Sequence, residues 1–354
     1  MNSDATTSHD DPSHDDPSHD DPGQDDESYG DPGQDDQSYG DPGHDDPSDV
    51  PGAEYRAGFA ALVGRPNAGK STLTNALVGQ KVAITSSKPQ TTRHTIRGIR
   101  HTPTSQLVLV DTPGLHRPRS LLGQRLNDLV RETLLGVDVI GFCLPADQRP
   151  GPGDQYIAAD LRELRRARRV PVVAIATKAD AVDRGRLAEH LMAIDQLADW
   201  DEIVPCSALR GQQVDEVAGV LASYLPTSPP LYPPETVTDE PNVVMIAELV
   251  REAALEGVRD ELPHSLAVVV DEMTERADRP ADNPMADVRV NVFVERPSQK
   301  AIIIGRGGAR LRDVGTAART QIEELLGQRV YLDLHVKVAK DWQRDPKQLG
   351  RLGF

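Results

Sequence analysis

Apolar positions beyond residue 57 come in short blocks, at 58–63, 107–110, 138–144, 170–176 and 202–206, rich in Val, Ile, Leu and Ala. Between several of them, stretches 121–135, 154–168, 187–197 and 214–225 repeat their apolar residues with a helical period. Blocks apolar on both faces suit strands covered from two sides, and their alternation with amphipathic helices predicts βαβ units. The expectation is an α/β domain with a mostly parallel, doubly wound sheet. Residues 226–240 are rich in proline and read as a linker. After them the order changes: a helical pattern at 243–257, strands near 265–270 and 288–295, a helix at 309–326 and an alternating strand at 330–338. That is a smaller α+β domain. The division is therefore a 1–54 tail, a 55–225 domain, a 226–240 linker and a 241–354 domain with a basic C-terminal extension.

The formal charge of the 354-residue chain is −17, but it is unevenly placed. Residues 1–49 hold 17 Asp or Glu and no Lys or Arg, so the rest of the chain is neutral. HDDPS-type units recur from His9, His14 and His19, and ten-residue units start at Gln24 and Gln34. Such a segment has too little apolar surface to offset its ordering entropy, and disorder is expected. The two cysteines, Cys143 and Cys206, lie far apart in apolar runs. They exclude a disulfide framework and a four-ligand zinc site, and they fit a reducing cytoplasm. No apolar block approaches the ~18–20 residues that span a bilayer, and the N-terminus lacks the basic start and apolar core of a secretory signal.

Gly64, Arg65, Pro66, Asn67, Ala68, Gly69, Lys70 and Ser71 fit GxxxxGK[ST] between a strand and a helix that opens at Thr72. Glycines let backbone N–H groups turn onto phosphates at a helix N-terminus. Lys70 is placed to reach the β- and γ-phosphates, and Ser71 to ligate Mg²⁺. Asp111, Thr112, Pro113 and Gly114 close the next strand, some forty residues on. There Asp111 would hold Mg²⁺ through water and the Gly114 N–H would sense the γ-phosphate; the same four residues also make a good reverse turn. Between the two motifs, Gln90, Thr91, Thr92, Arg93 and His94 lie in an aperiodic polar stretch. A mobile loop of this kind can offer a threonine to Mg²⁺ when the γ-phosphate is present; Thr92 is favoured, then Thr91.

Thr177, Lys178, Ala179 and Asp180 follow one strand, and Ser207, Ala208 and Leu209 follow the next. A carboxylate at Asp180 accepts two hydrogen bonds from guanine and none from adenine in that arrangement. Lys178 would lie along the base, with the Ser207–Leu209 turn supplying an N–H to guanine O6. Farther on, Gly305, Arg306, Gly307 and Gly308 form a GxxG between Ala301–Ile304 and a helix. By propensity Ala-Ile-Ile-Ile reads as a strand; the alternative, a short helix, gives the helix–GxxG–helix arrangement that clamps a nucleic-acid backbone. Residues 295–354 carry 12 Lys or Arg against 7 Asp or Glu, with Lys300, Arg310 and Arg312 beside Arg306. Local positive charge of this kind suits a phosphate backbone.

This ordered set of motifs, with ELPHSL at 261–266 and the strand at 330–337 before Trp342, resembles the Era family across residues 57–354. The resemblance implies a G domain followed by a type II KH domain. It implies slow, Mg²⁺-dependent GTP hydrolysis with Lys70, Asn67, Thr92 and Gly114 as the catalytic group. It further implies a monomer that binds GTP or GDP and the single-stranded 3′ end of 16S ribosomal RNA during 30S assembly, in the cytoplasm, with peripheral membrane contact as a further family trait. Leu115 stands where many small GTPases carry a water-orienting Gln, and in such relatives the phosphate-loop Asn, here Asn67, helps hold an activating K⁺. Two departures stand out. Thr177 replaces the Asn that would bridge base and phosphate loop, which puts nucleotide affinity in question, and the acidic tail is foreign to the family. Rival readings are an RNA-binding module without catalysis and a P-loop ATPase or small-molecule kinase.

Overall fold

The blocks that form the four central strands become strands because burial on both faces leaves them no amphipathic alternative, whereas the last block forms a half-exposed edge strand. The computed structural model describes residues 54–354 apart from 87, 89, 90, 119, 259–261 and 281 and the side chains of 263 and 264. The acidic repeats, Gln90 and Glu261 thus lie outside the described residues.

The first sheet contains β1 (Arg56–Val63), β2 (Ile96–His101), β3 (Ser105–Asp111), β4 (Val139–Pro145), β5 (Val172–Thr177) and β6 (Glu202–Pro205). Their order is β2-β3-β1-β4-β5-β6, with β2 antiparallel to β3 and the remaining pairs parallel. Helices α1 (Lys70–Val78) and α5 (Val214–Ser223) pack on one face through Leu73, Leu77, Val217 and Leu221. On the other face, α2 (Leu121–Leu135), α3 (Pro152–Arg168) and α4 (Arg184–Asp195) bring Val130, Ile157, Leu161 and Ile194. The expected doubly wound sheet is present. Strand β2 escapes the apolar pattern because it is an edge strand carrying Arg97, Arg100 and His101, a polar composition that blunts edge pairing.

The proline-rich stretch is a strap lying along that edge. Ile99 N donates to Val237 O at 2.9 Å, and Arg97 pairs with Asp239 at 2.8 Å. The buried amide of Gln106 accepts from Leu231 N at 2.7 Å and Tyr232 N at 2.9 Å, and donates to Tyr232 O at 2.8 Å. One fully buried glutamine thereby fixes the chain's route into the second domain.

That domain contains α6 (Asn242–Leu255), a short α7 (Leu262–Ser265), β7 (Ala267–Glu275), β8 (Met285–Val294), α8 (Pro297–Ile304), α9 (Ala309–Leu326), β9 (Arg329–Val338) and α10 (Pro346–Arg351). Its sheet runs β7-β8-β9, antiparallel then parallel. Val288, Val290, Val292 and Val294 of β8 pack against Ile303, Val314, Ala318 and Ile322. Residues Ala301–Ile304 are helical, against their strand propensity. Pro297 sits in the first turn, and Gln299 Oε1 accepts from Glu295 N and Arg296 N, so local capping outweighs the β-branched run. Ile84, from the loop after α1, is buried in this second core rather than the first.

Candidate functional site

The turn after β1 is shaped by close approach. Gly64 has φ of 152°, and a Cβ there would lie 2.7 Å from the Cys143 carbonyl oxygen; a Cβ on Gly114 would lie 2.7 Å from Pro66 N. Only glycine allows these loops to nest. Inside the nest Lys70 is 6 % exposed, and its Nζ donates to Arg65 O at 3.2 Å and Gly64 O at 3.4 Å. Burial pushes the Lys70 ammonium below its ordinary pKa, offset by the Asp111 carboxylate. Ser71 Oγ donates to Asp111 Oδ2 at 2.6 Å, Thr92 Oγ1 donates to the same oxygen at 3.2 Å, and the two hydroxyl oxygens are 2.9 Å apart. The three groups singled out as cation ligands thus meet at one point. Asp111 is fully buried, its Oδ1 has no hydrogen-bond partner among the described residues, and burial pushes its carboxyl up against the pull of Lys70.

Other motif residues have different work. Arg65 turns away from the loop, its Nε donating at 2.7 Å to Asp154, whose other oxygen caps Gly151 N at the start of α3. Thr112 Oγ1 donates to Leu62 O at 2.7 Å, and Pro113 is buried beside it. Leu115 is 3 % exposed with its side chain in the core under the sheet, while its N–H donates to Gly64 O at 3.2 Å. Asn67 has φ of 63° at the loop's tip, and Thr72 lines the cleft with Ser71.

Thr177, Lys178 and Asp180 cluster with Ser207 at the far end. Ser207 Oγ donates to Asp180 Oδ1 at 2.5 Å, Lys178 Nζ pairs with Asp147 at 3.1 Å, and Ala179 N donates to Cys206 O at 3.1 Å. Thr177 Oγ1 donates to Ala68 O at 2.6 Å and packs 3.6 Å from a Cβ position on Gly69. The shorter side chain therefore keeps the phosphate-loop half of the bridge that an Asn would make. Ala208 follows the buried Ser207, whereas the Leu209 side chain is 77 % exposed.

The segment around Thr92 is gripped by the second domain. Thr91 Oγ1 turns back to donate to Lys88 O at 2.7 Å, and its carbonyl accepts from Arg251 Nη2. Arg93 is 1 % exposed; its Nη1 donates to Leu266 O at 2.6 Å, and its guanidinium lies over Trp342 and Phe354. Burial, with Arg251 nearby, pushes Arg93 down to about 9. His94 stacks on Phe354 at 5.2 Å. Leu266 and Trp342 lie in stretches that carry the family resemblance, and Arg251 and Phe354 lie in no motif. No spacing or periodicity pointed to their contact with residues 91–94.

The second glycine turn is open. Gly305 has φ of 72° with a hypothetical Cβ 2.7 Å from Arg310 Cβ, while Gly307 (φ 58°) and Gly308 (φ 78°) have nothing within 4 Å of theirs. Arg306 and Arg312 are exposed and Lys300 is half-buried. Arg310 is not part of this basic face: its Nη2 donates to Glu256 O at 2.5 Å and Ala254 O at 3.2 Å, closing the C-terminus of α6.

Comparison with known proteins gives the same two parts. A model of the 50S ribosome-binding GTPase family matches residues 59–178, and a KH domain model matches residues 261–343. The chain is 67 % identical over 305 residues to GTPase Era of Streptomyces coelicolor, covering 85 % of this chain and 95 % of that one. It is 63 % identical over 302 residues to GTPase Era of Mycolicibacterium smegmatis, covering 85 % and 99 %. Among solved structures, Era in complex with MgGDPNP and nucleotides 1506–1542 of 16S ribosomal RNA is similar, with a TM-score of 0.79, 36 % identity and coverage of 84 % and 99 %. An Aquifex aeolicus Era variant bound to GDP·AlF4⁻ gives a TM-score of 0.78 at 36 % identity. With a P-loop G domain and a KH domain in the order and at the identity of these relatives, the chain belongs to the Era family of GTPases.

Proposed function

We propose that GTP bound between Lys70 and Asp180 sets the placement of the KH domain, which binds the 3′ region of 16S ribosomal RNA during 30S assembly. One observation carries this reading: Thr92, at the phosphate end, belongs to a segment whose neighbours Thr91 and Arg93 are bonded to the KH domain. The RNA target comes from the related Era structure in which that RNA is bound. The exposed Gly307, Arg306 and Arg312 supply the open, basic turn such a ligand needs.

The residues present fit magnesium. Two hydroxyls converge on one carboxylate, and the buried Asp111 Oδ1 has no partner among the described residues. Hard oxygen donors in small number, with water and phosphate completing the shell, are the ligands Mg²⁺ takes. Ser71 and Thr92 would hold it directly and Asp111 through water, and it would supply charge neutralisation to the phosphate oxygens. Lys70 then leaves its two carbonyl partners for those same oxygens, and the Gly114 N–H faces the γ-phosphate. Asp180, with Lys178 and the Ser207–Ala208 turn, selects guanine.

Leu115 lies in the core and has no polar group with which to orient water. Hydrolysis by the chain alone is therefore slow, and Asn67 at the loop tip is the group we assign to an activating K⁺. Turnover should rise when K⁺ replaces Na⁺; equal rates would remove that assignment. The working form we propose is a cytoplasmic monomer that visits the inner face of the membrane peripherally. Among the described residues no helix is long and apolar enough to cross a membrane, and the membrane visit rests on family likeness alone. Crosslinking in cells followed by sequencing of the attached RNA tests the whole reading. The expected result is enrichment of the 16S 3′ end; its absence would refute the RNA assignment.

A further inference from the structure

Among the KH domain's contacts beside the nucleotide site is a buried ion pair that reaches the residue before Thr92. Arg251 and Glu248 of α6 are both almost fully buried, with Nε–Oε1 at 2.9 Å and Nη2–Oε2 at 2.5 Å. Burial would push the Glu248 carboxyl up, but Arg251 and the other nearby cations outweigh it and hold the carboxyl below its ordinary range. A guanidinium held by two bonds to one carboxylate has its plane fixed. The second N–H of the same Nη2 then donates to the Thr91 carbonyl, while Nη1 is buried without a hydrogen-bond partner among the described residues. On the other side of Thr92, Arg93 is tied to Leu266 O. Upstream, Thr85 N donates to Glu252 Oε1 of the same helix at 2.8 Å, and Ile84 is buried in the KH core.

We infer that Arg251 is a positioning residue for GTP hydrolysis: from the KH domain, it holds the Thr91 carbonyl so that the Thr92 hydroxyl sits at the cation site before nucleotide arrives. This rests on the reading of Thr92 as a ligand used only when the γ-phosphate is present. The orientation is visible, since Thr92 Oγ1 is 2.9 Å from Ser71 Oγ and 3.2 Å from Asp111 Oδ2 with Arg251 in place. An ordered Thr92 lowers the cost of binding triphosphate and leaves diphosphate binding untouched. By linkage, anything that shifts α6, RNA at the KH face included, alters the preference for GTP over GDP.

The test compares Mg²⁺-dependent affinities for GDPNP and GDP, with kcat and KM for GTP, in the full chain. Arg251→Met leaves Glu248 buried without its partner, so the matched variant is E248Q/R251M, which removes both charges together. Both should lower GDPNP affinity and kcat by about tenfold, the scale of one buried hydrogen bond to a charged donor, with GDP affinity unchanged. Arg251→Lys, which keeps a charge for Glu248 but loses the fork, should fall between. Thr92→Ala should show the same loss, and adding Arg251→Met to it should cost nothing more. If Thr92→Ala lowers the GDPNP-to-GDP preference and the Arg251 variants do not, the inference about Arg251 fails while the role of Thr92 stands. An unchanged preference in Thr92→Ala would sink the reading of Thr92 itself. Equal losses for both nucleotides in the Arg251 variants would reduce Arg251 to a structural role and overturn the inference.

Discussion

The chain carries two glycine turns that suit phosphate oxygens, and they are built in opposite ways. The turn at Gly64–Ser71 is buried and crowded: Lys70 is tied to two carbonyls, Thr177 is tied to Ala68, and Gly114 lies against Pro66. The turn at Gly305–Gly308 has Gly307 and Gly308 in positive φ with open space around them. A small ligand of fixed shape rewards a cradle assembled in advance, because ordering costs are met in folding rather than in binding. A polynucleotide strand must enter from the side, and an exposed clamp leaves it room. Between the turns lies the segment at Thr91–His94, in which Thr92 bonds to the cradle while Thr91, Arg93 and His94 on either side of it contact the KH domain.

Four substitutions separate the two designs. Removing the ammonium with Lys70→Ala should cut GTP turnover on the order of 10²–10³-fold while leaving RNA affinity in the absence of nucleotide unchanged; assays of both activities on one preparation decide it. Gly307→Asp puts a side chain with a negative charge at a φ of 58° in the open turn. RNA affinity should fall by roughly tenfold or more from strain and repulsion together, with GTP affinity as in the parent, read by filter binding. Thr177→Val removes a buried donor and leaves the Ala68 carbonyl without it. The expected cost is about 1–3 kcal/mol, seen as weaker binding of GTP and GDP alike and no change in RNA binding. Arg310→Ala should have the smallest functional effect. It strips the cap from α6, so the melting temperature should drop by a few degrees while RNA affinity stays within about twofold, a change of a few tenths of a kcal/mol. A large loss of RNA binding there would return Arg310 to the basic face.

The phosphate loop, Asp111 and Thr92 were legible because their chemistry dictates residue type and spacing, and the geometry then had one way to unite them. The parallel strands were legible for the same kind of reason, since burial on both faces writes an unbroken apolar run. Strand β2 was not: Arg97, Arg100 and His101 look like loop residues until the 226–240 strap covers the edge. Propensity alone pointed Ala301–Ile304 toward a strand, and Pro297 together with the Gln299 cap set the helical alternative instead. Arg93 read as part of the polar loop beside the cation site and Arg310 as a base facing RNA. Yet Arg93 is buried under rings and a carbonyl distant in sequence, and Arg310 is turned onto the carbonyls that end α6. Pairings of that sort leave no periodic trace. The Arg93 pairing joins the two domains, whereas that of Arg310 forms within the second.

The central claim, that nucleotide state and RNA grip are coupled through the Thr91–His94 segment, is tested most directly by one titration. The affinity of the purified chain for a 16S 3′-end RNA fragment is measured with saturating Mg²⁺ and GDPNP, then with GDP. Coupling energies of about 1–3 kcal/mol, or roughly 5–150-fold, predict distinctly tighter RNA binding with GDPNP. Identical affinities in the two nucleotides would contradict the account.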